Sequence, residues 1–310
     1  MKLTNFIENG EFYKANYHTH SQNSDGQFTQ EEVINMYKEQ GYSFLCMSEH
    51  NRVTKTTKYD TDSFKLVPGL ELHCVMHESP LVIHHMLGLA SQDNEKIYND
   101  MRIDNVPFTE NNETLLALEK TLIDLDLLTV YCHPTWSHVE TPQFDFLKDT
   151  EIMEVCNFGT IIDQGHNNDP VYWDSWLKQG KQIFGMANDD SHRIQHFCGG
   201  WNMVKCKEFT VPSMLDSLRK GSFYCTMGPF IDDFYIEDGY AVVKCSEAKS
   251  VTVITQSGWG KSYRDPKGKL TEVVHNCPMS AYSIRVEVED MNGNIAWSNP
   301  ITRMDRFQYR

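Results

Sequence analysis

The sequence predicts an α/β fold with a mainly parallel sheet or barrel over residues 1–225, followed by a small antiparallel β domain over residues 226–310. Short apolar runs alternate with helical stretches through the first part, a pattern typical of parallel α/β proteins. From about Met227 no helical pattern remains, and strand-like alternation is clear in residues 282–289. We therefore expect the second domain to be a β-sandwich.

The strands of the first domain are predicted from short apolar runs. They cover residues 12–18, 44–48, 65–68, 81–89, 128–131, 152–156 and 183–187. A capping box at Thr29-Gln-Glu-Glu32 begins a helix that Gly41 ends, and apolar residues recur close to every 3.6 positions in residues 113–127. Residues 170–179 and 212–220 each have a proline in the first turn and a glycine just past the end, which favours two more helices.

The strands of the second domain are shorter and more evenly spaced. They are predicted at residues 234–236, 241–244, 250–255, 271–274, 282–289 and 295–297. Asp238-Gly239 and Asn292-Gly293 are turn pairs that typically join the two strands of a hairpin. Because hairpins pair neighbouring strands in opposite directions, we expect an antiparallel arrangement.

Composition and charge narrow the class of partner. The 310 residues include 28 Lys+Arg and 43 Asp+Glu, a formal net charge of −15. Nucleic acids and anionic membranes require a basic surface, so neither is an expected partner. We find no apolar run long enough for a signal peptide or membrane helix, and the nine cysteines form no CxxC pair. We expect a cytoplasmic protein that acts on a small molecule, and self-association is compatible with this sequence.

Histidines are concentrated in the first two-thirds of the chain. Twelve of the thirteen lie between His18 and His196. Six segments deliver histidine, aspartate or glutamate: His18-Thr-His20 with Ser24-Asp25-Gly26, Glu49-His50-Asn51, Gly69-Leu-Glu71, His84-His85, Cys132-His133-Pro134 and Asp189-Asp190-Ser191-His192. Five follow an apolar strand, and the fourth lies inside one. Because parallel strands end on one side of a barrel, we expect these side chains to meet there.

The ligand chemistry indicates a metal centre. Imidazole and carboxylate without thiolate suit Zn, Mn or Fe at hydrolytic sites. Nine candidate ligands are too many for one ion, so we expect two or three divalent ions that share a bridging carboxylate. The sequence carries no GxSxG, P-loop or GxGxxG motif that would support another catalytic scheme.

These motifs, in this order, resemble the PHP (polymerase and histidinol phosphatase) family of metal-dependent phosphoesterases. The segment HTHSQNSDG at residues 18–26 is similar to the family's opening HxH and SDG motifs, and SEHN, GLE, HHMLGL, CHP and NDDSH follow in family order. The resemblance covers about residues 14–225 and implies a distorted seven-stranded (β/α) barrel. Residues 214–229 and 296–301 resemble a branch that carries a C-terminal β domain, in which some members resemble carbaryl-type carbamate hydrolases.

The resemblance also implies a set of metal ligands. A first ion would be held by His18, His20, Glu71 and Asp190, a second by Glu71, His85 and His133, and a third by Asp25, His50 and His192. His85 is preferred to His84 because it directly precedes the Met-Leu-Gly-Leu of the family motif. Asp190, His192 and Arg193 are the expected catalytic residues. Many members carry Asp where this chain has Glu49.

The implied activity is the hydrolysis of phosphate esters by a metal-bound hydroxide. The same hydroxide would also attack a carbonyl carbon, so a carbamate, ester or amide hydrolase is the alternative. A metal-binding module without turnover is disfavoured because the ligand set is complete.

Several residues near the ligands have two interpretations. Arg193 would either hold a phosphate through bidentate hydrogen bonds or form an ordinary surface ion pair. Trp136 would line a pocket or, as is more common, pack the rim of the barrel. His73 and His77 are expected in an exposed loop, and His196 is expected to lie outside the site.

Overall fold

The computed structural model describes residues 2–74, 82–104, 106, 113–256, 258–277 and 280–302. These residues form a mixed α/β fold, which confirms the α/β class, whereas the barrel stays a prediction. The sheets of the first part mix parallel and antiparallel pairings instead of being mainly parallel. The helices are α1 (Gln30–Glu39), α2 (Glu113–Asp124), α3 (Phe158–Gln164), α4 (Asp169–Lys178) and α5 (Val211–Arg219). Two short 3-10 turns cover Thr141–Gln143 and Ile194–His196.

The strands are numbered in chain order. The first ten are β1 (Glu11–Asn16), β2 (Phe44–Cys46), β3 (Lys65–Val67), β4 (Gly69–His73), β5 (His85–Leu89), β6 (Leu128–Tyr131), β7 (Ile152–Asn157), β8 (Phe184–Asn188), β9 (Trp201–Cys206) and β10 (Phe223–Thr226). The others are β11 (Ile231–Glu237), β12 (Tyr240–Ala248), β13 (Ser250–Thr255), β14 (Lys261–Arg264), β15 (Leu270–Asn276), β16 (Ser283–Glu289), β17 (Ile295–Ser298) and β18 (Ile301–Thr302).

Two sheets carry the first part of the chain. In one, β1, β2 and β3 are parallel, and β9 pairs with β1 in the opposite direction. In the other, β6, β7 and β8 are parallel, but β5 is antiparallel to both β4 and β6. The predicted strand at residues 81–89 begins only at His85, and residue 81 lies outside the described residues. Because β5 is reversed, its first residue lies beside the last residues of β6.

Backbone contacts join the two sheets at the end where β1 and β8 finish. The amide of His20 donates to the carbonyl of Ser191 at 3.0 Å, and the amide of Asp190 donates to the carbonyl of His18 at 2.9 Å. A second bridge pairs His50 with Glu71. The segments after β1, β2 and β8 and the strand β4 are therefore close neighbours.

The helices pack on these sheets through apolar faces. In α1, Val33, Ile34 and Tyr37 are fully buried in one core cluster. The predicted capping box is present, because the Thr29 side chain accepts from the Glu32 amide and the Glu32 carboxylate accepts from the Thr29 amide. Eight of the nine cysteines are buried. Among the described residues, no helix combines the length and apolar character needed to cross a bilayer.

The C-terminal strands continue the first sheet. Strand β10 pairs with both β9 and β17, which gives the order β14-β13-β16-β17-β10-β9-β1-β2-β3, with β18 on β16. A separate sheet, β11-β12-β15, shares a core cluster with it that includes Val243, Val253 and Val286. All these C-terminal pairings are antiparallel, as predicted. The boundary between residues 225 and 226 stays a prediction, and β10 spans it.

An ion pair between a buried arginine and a half-exposed aspartate also ties the C-terminal part to the first part. Arg285 on β16 is 2% exposed and donates to both carboxylate oxygens of Asp174 on α4 at 2.8 Å. Its guanidinium lies 4.8 Å from the centre of the Trp173 ring. Arg285 also pairs with Glu287 on its own strand at 2.8 Å, so the bonds to Asp174 are the part of this network that holds β16 against α4.

Candidate metal centre

The nine predicted ligands meet at the end of the fold where β1, β2, β6 and β8 finish. Each belongs to a group whose ligand atoms lie within 4.8 Å of one another. The groups are His20, Asp25, His50 and His192; His18, His133 and Asp190; His50, Glu71 and His85; and His18, Glu71 and Cys132. The reversed strand β5 presents His85 at its beginning, which explains why this segment differs from the other five.

Six of the nine form an inner group with side-chain exposures between 0 and 14%: His18, His20, Glu71, His85, His133 and Asp190. Glu71 lies at the centre of this group. Its Oε1 is 2.8 Å from His85 Nδ1 and 3.3 Å from His133 Nε2. Burial lowers the pKa of His85 to about 4, although Glu71 acts in the other direction. His85 therefore has the neutral imidazole that binds metals.

Four buried atoms of the inner group point at one another without forming a hydrogen bond to any described residue. They are His18 Nε2, His20 Nε2, Glu71 Oε2 and Asp190 Oδ1. Asp190 Oδ1 is 3.2 Å from both imidazole nitrogens, and Glu71 Oε2 is 3.2 Å from His20 Nε2. Buried polar atoms without partners are costly, and this convergence is what a divalent cation requires. The residues present therefore fit a metal.

Glu154 orients two members of the inner group. Its Oε1 accepts from His18 Nδ1 at 2.8 Å, and its Oε2 accepts from the His133 amide at 3.0 Å. Asn188 and Asn157 donate to the same carboxylate. With Nδ1–H bonded to Glu154, His18 presents the lone pair of Nε2 to the centre, as metal-ligating histidines usually do.

The backbone is unusual at two of the predicted ligands. His133 has φ of 26° and Asp190 has φ of 50°. Non-glycine residues seldom adopt this left-handed region, and they concentrate at functional sites when they do. The bonds from the His133 amide to Glu154 and from the Asp190 amide to His18 hold both residues in this conformation.

The other three ligands form an outer group, Asp25, His50 and His192, in which Asp25 is 52% exposed. Asp25 Oδ2 is 3.3 Å from His50 Nε2, and Asp25 Oδ1 is 3.3 Å from His192 Nε2. His192 Nδ1 donates to the backbone carbonyl of Asp190 at 3.0 Å, which leaves Nε2 as the ligand atom.

Glu49 holds the loop that carries Asp25. This fully buried carboxylate accepts from the Ser21 amide at 3.2 Å and from the hydroxyls of Ser21 and Ser24, each at 2.5 Å. Glu49, where the sequence differs from the motif that it resembles, thus orders the loop of the outer group.

Carboxylates set the protonation of the outer histidines. Burial favours neutral imidazole, but Glu71 and Asp25 outweigh it and raise the pKa of His50 to about 10. Against the same effect of burial, Asp190 and Asp25 raise the pKa of His192 to about 9. Positive charge is therefore favoured here, carried either by protons on the imidazoles or by a cation that replaces them.

A cavity of about 510 Å³ opens onto both groups. Apart from predicted ligands, it is lined by Gln27, His73, Ile83, Trp136, Gly159, Thr160, Asp163, Arg193 and His196. Among the described lining residues, Arg193 is the only lysine or arginine. It forms an ion pair with Asp163, and its Nε donates to His196 Nε2 at 3.0 Å. The ion pair agrees with one of the two interpretations that the sequence allowed, and phosphate binding by Arg193 stays a prediction.

The structure corrects two expectations near the ligands. His73 lies on β4 and lines the cavity, with its ring 4.8 Å from that of His50, whereas the sequence placed it in an exposed loop. His196 also lines the cavity, because a 3-10 turn returns its Nδ1 to 3.4 Å from the His192 amide. Trp136 lies on the cavity wall as well. His77 lies outside the described residues.

His84 takes a different direction from His85. Its Nδ1 is 2.9 Å from the Tyr131 hydroxyl, and it does not line the described part of the cavity. Alternation along the chain predicted this difference between the two adjacent histidines.

Comparison with solved structures gives similarities at low sequence identity. A two-domain protein from Bacteroides vulgatus that contains a predicted PHP-like metal-dependent phosphoesterase matches with a TM-score of 0.48 and 11% identity, over 92% of each chain. A Bifidobacterium adolescentis protein described as a metal-dependent phosphoesterase has a TM-score of 0.40 and 13% identity, over 58% of this chain and 88% of its own. A Chromobacterium violaceum amidohydrolase has a TM-score of 0.38 and 11% identity, over 57% of this chain and 87% of its own.

No family model matches the chain, and no curated protein matches it. The function proposed below therefore rests on the geometry of the side chains.

Proposed function

We propose that the protein is a metal-dependent hydrolase of phosphate esters. The main support is the convergence of nine imidazole and carboxylate side chains, of which five have a buried atom without a hydrogen bond to described residues. If this cluster had only a structural role, those buried atoms would form hydrogen bonds within the protein. The cavity that opens onto them gives a small molecule access to the same atoms.

The proposed centre would hold two or three divalent ions of Zn, Mn or Fe. The inner group would hold two, with Glu71 as the bridging carboxylate, and the outer group would hold the third. Bound ions of this kind lower the pKa of water and stabilise negative charge on a phosphoryl group. Thiolate is not needed, since histidine and carboxylate satisfy the preferences of these metals.

The chain's own residues orient the reacting group. Asp190 and His192 line the cavity beside the inner group and would contact the substrate. Asn157 donates to Asp190 Oδ2 at 3.1 Å and so fixes the orientation of that carboxylate. The Arg193 guanidinium would bind the nonbridging oxygens of the phosphate, because it is a planar cation on the cavity wall. Its pairing with Asp163 would hold it there before substrate binds.

We also propose that the strands of residues 1–225 surround the centre as a distorted seven-stranded barrel and that residues 226–310 form a sandwich. The bridges between Thr19 and Ser191 and between His50 and Glu71 support the first arrangement. The core cluster shared by the sheet β11-β12-β15 and strands β13 and β16 supports the second.

The activity is tested with protein stripped of metal and reloaded with Mn²⁺, Zn²⁺ or Fe²⁺. Phosphate release from 4-nitrophenyl phosphate is compared with cleavage of a 4-nitrophenyl carbamate and of a 4-nitrophenyl ester of a carboxylic acid. We expect the phosphate ester to be hydrolysed fastest. Faster cleavage of the carbonyl substrates would favour the alternative chemistry, and bound metal with no turnover of any substrate would favour a binding module.

Adjacent histidines provide a matched pair of variants. We expect His85→Ala to lower kcat/KM by about 100-fold or more and to reduce the bound metal, because it removes an imidazole next to Glu71. His84→Ala removes only the contact with Tyr131 and should retain activity within a few-fold. Activity assays and elemental analysis of both variants check this, and equal losses would contradict the proposed centre.

A further inference from the structure

The cavity is larger than a phosphate group requires. Its volume of about 510 Å³ is in the range of sites that enclose small organic ligands. Its wall includes the apolar side chains of Trp136 and Ile83 next to the proposed ligands. A phosphate is fully polar and gains little from covering an indole ring. This part of the wall therefore suits the organic group of the ester.

Trp136 is close enough to the centre to contact the group attached to a reacting phosphate. Its ring centre is 5.3 Å from that of His85, with an angle of 37° between the planes. It is 5.0 Å from the ring of His133, with an angle of 69°. Both histidines are proposed ligands in contact with Glu71. The indole therefore lies directly beside two residues of the proposed metal centre.

The loop that carries Trp136 is fixed by several hydrogen bonds. The Thr135 amide donates to Asp169 Oδ1 at 2.7 Å, and the Thr135 hydroxyl donates to the same oxygen. The Asn168 amide donates to the Thr135 hydroxyl at 3.1 Å. Within the loop, the Ser137 amide donates to the His133 carbonyl at 3.1 Å. The backbone that carries the indole is therefore fixed before a substrate arrives, which reduces the entropy lost on binding.

From these contacts we infer that Trp136 selects esters whose leaving group carries a flat aromatic ring. The ring would stack on the indole while the phosphate reaches the inner group. The interaction of an indole with an aromatic ring is stronger than with a saturated ring of similar size, because the quadrupoles of stacked aromatic rings attract each other in offset geometry. The inference rests on the proposed function, since it names the class of ester that the same site would accept.

The test compares benzyl phosphate with cyclohexylmethyl phosphate. Both have primary alcohol leaving groups and similar size, so they differ mainly in the aromatic ring. We expect kcat/KM to favour benzyl phosphate by about 3- to 10-fold in the natural protein. In Trp136→Leu this ratio should fall to about 1, and in Trp136→Phe most of it should return.

Binding without turnover provides a second readout. Inhibition constants and calorimetry of 2-phenylethylphosphonate and 2-cyclohexylethylphosphonate should show the same preference and the same loss in Trp136→Leu. Elemental analysis of each variant establishes that its metal content is unchanged. An equal loss for both ring types in Trp136→Leu would mean that the indole only packs against the ligands, and would overturn the inference.

Failure of the inference is distinguishable from failure of the proposed function. If both phosphates and ethyl phosphate are hydrolysed at similar kcat/KM, the inference fails and the proposed function stands. If no phosphate ester is hydrolysed by the metal-loaded protein, the proposed function fails. The phosphonate measurements then decide the ring preference independently, and equal affinities would overturn it.

Discussion

The inner and outer groups of the candidate centre are built differently. The inner group lies on or directly after strands, and its side chains are at most 14% exposed. The outer group depends on Asp25, which is 52% exposed and lies on a loop held by Glu49. Oriented, buried ligands bind metals more tightly than ligands that solvent and loop motion can reach. We therefore expect the inner ions to be resident and the outer ion to exchange.

The largest expected effect comes from Glu71→Gln. This variant keeps the shape of the side chain but removes the charge that faces His18, His85 and His133. We expect kcat/KM to fall by about 1,000-fold and the inner ions to be lost, because neutral amide is a weak bridge between cations. A phosphate-release assay measures the fall in kcat/KM, and elemental analysis measures the loss of the inner ions. Retention of full metal content would contradict a bridging role.

A smaller effect is expected from Glu154→Gln. Glu154 contacts no ion in the proposed centre, but it fixes the tautomer of His18 and the backbone of His133. Loss of such an orienting carboxylate typically lowers metal affinity or activity by about 10- to 100-fold. Competition with a chromogenic chelator measures the affinity of the inner ions. An unchanged affinity would show that backbone geometry alone orients these histidines.

The smallest expected effect of a substitution concerns the outer group, whose affinity for its ion also depends on pH. His50 and His192, with pKa values raised to about 10 and 9, must lose protons when a cation binds. Affinity for the outer ion should therefore fall by about tenfold per pH unit below pH 9 for each displaced proton. Asp25→Asn removes the carboxylate that both histidines contact, so their pKa values should fall and this dependence should move to lower pH.

Metal titrations of the natural protein and Asp25→Asn at pH 6.5, 7.5 and 8.5 check this prediction. We expect Asp25→Asn to bind the outer ion about tenfold more weakly while the inner ions remain bound. Identical pH dependence in the two proteins would contradict the role of Asp25. Loss of all ions together would remove the distinction between the groups.

The sequence predicted the site better than it predicted the strands around it. Most of the nine side chains follow or begin a strand, and local apolar patterns reveal those strand ends, but Glu71 lies in the middle of β4. The direction of β5 was not accessible, because a reversed strand has the same alternation as a parallel one. In the sequence, His84-His85 was therefore the one segment whose histidines lay inside a predicted strand and not after its end.

Strand β4 was missed for a different physical reason. Pro68-Gly69 is typical of a turn, yet Gly69 is the first residue of a strand. A Cβ at this position would lie 2.5 Å from the Gly88 carbonyl oxygen and 2.6 Å from Cys46 Sγ. The glycine therefore permits close packing between strands, which a single sequence does not distinguish from a turn. Helix α3, with seven residues, is too short to show a helical period.

The position of β10 has a consequence for how the chain holds together. A protein cut after residue 225 would lose β17, and the exposed edge of β10 would be free to pair with other molecules. The C-terminal strands thus cover the edge of β10, in the same sheet as β1, the strand that precedes His18 and His20. Because the two parts of the chain share one hydrogen-bonded sheet, we expect them to unfold together in a single melting transition.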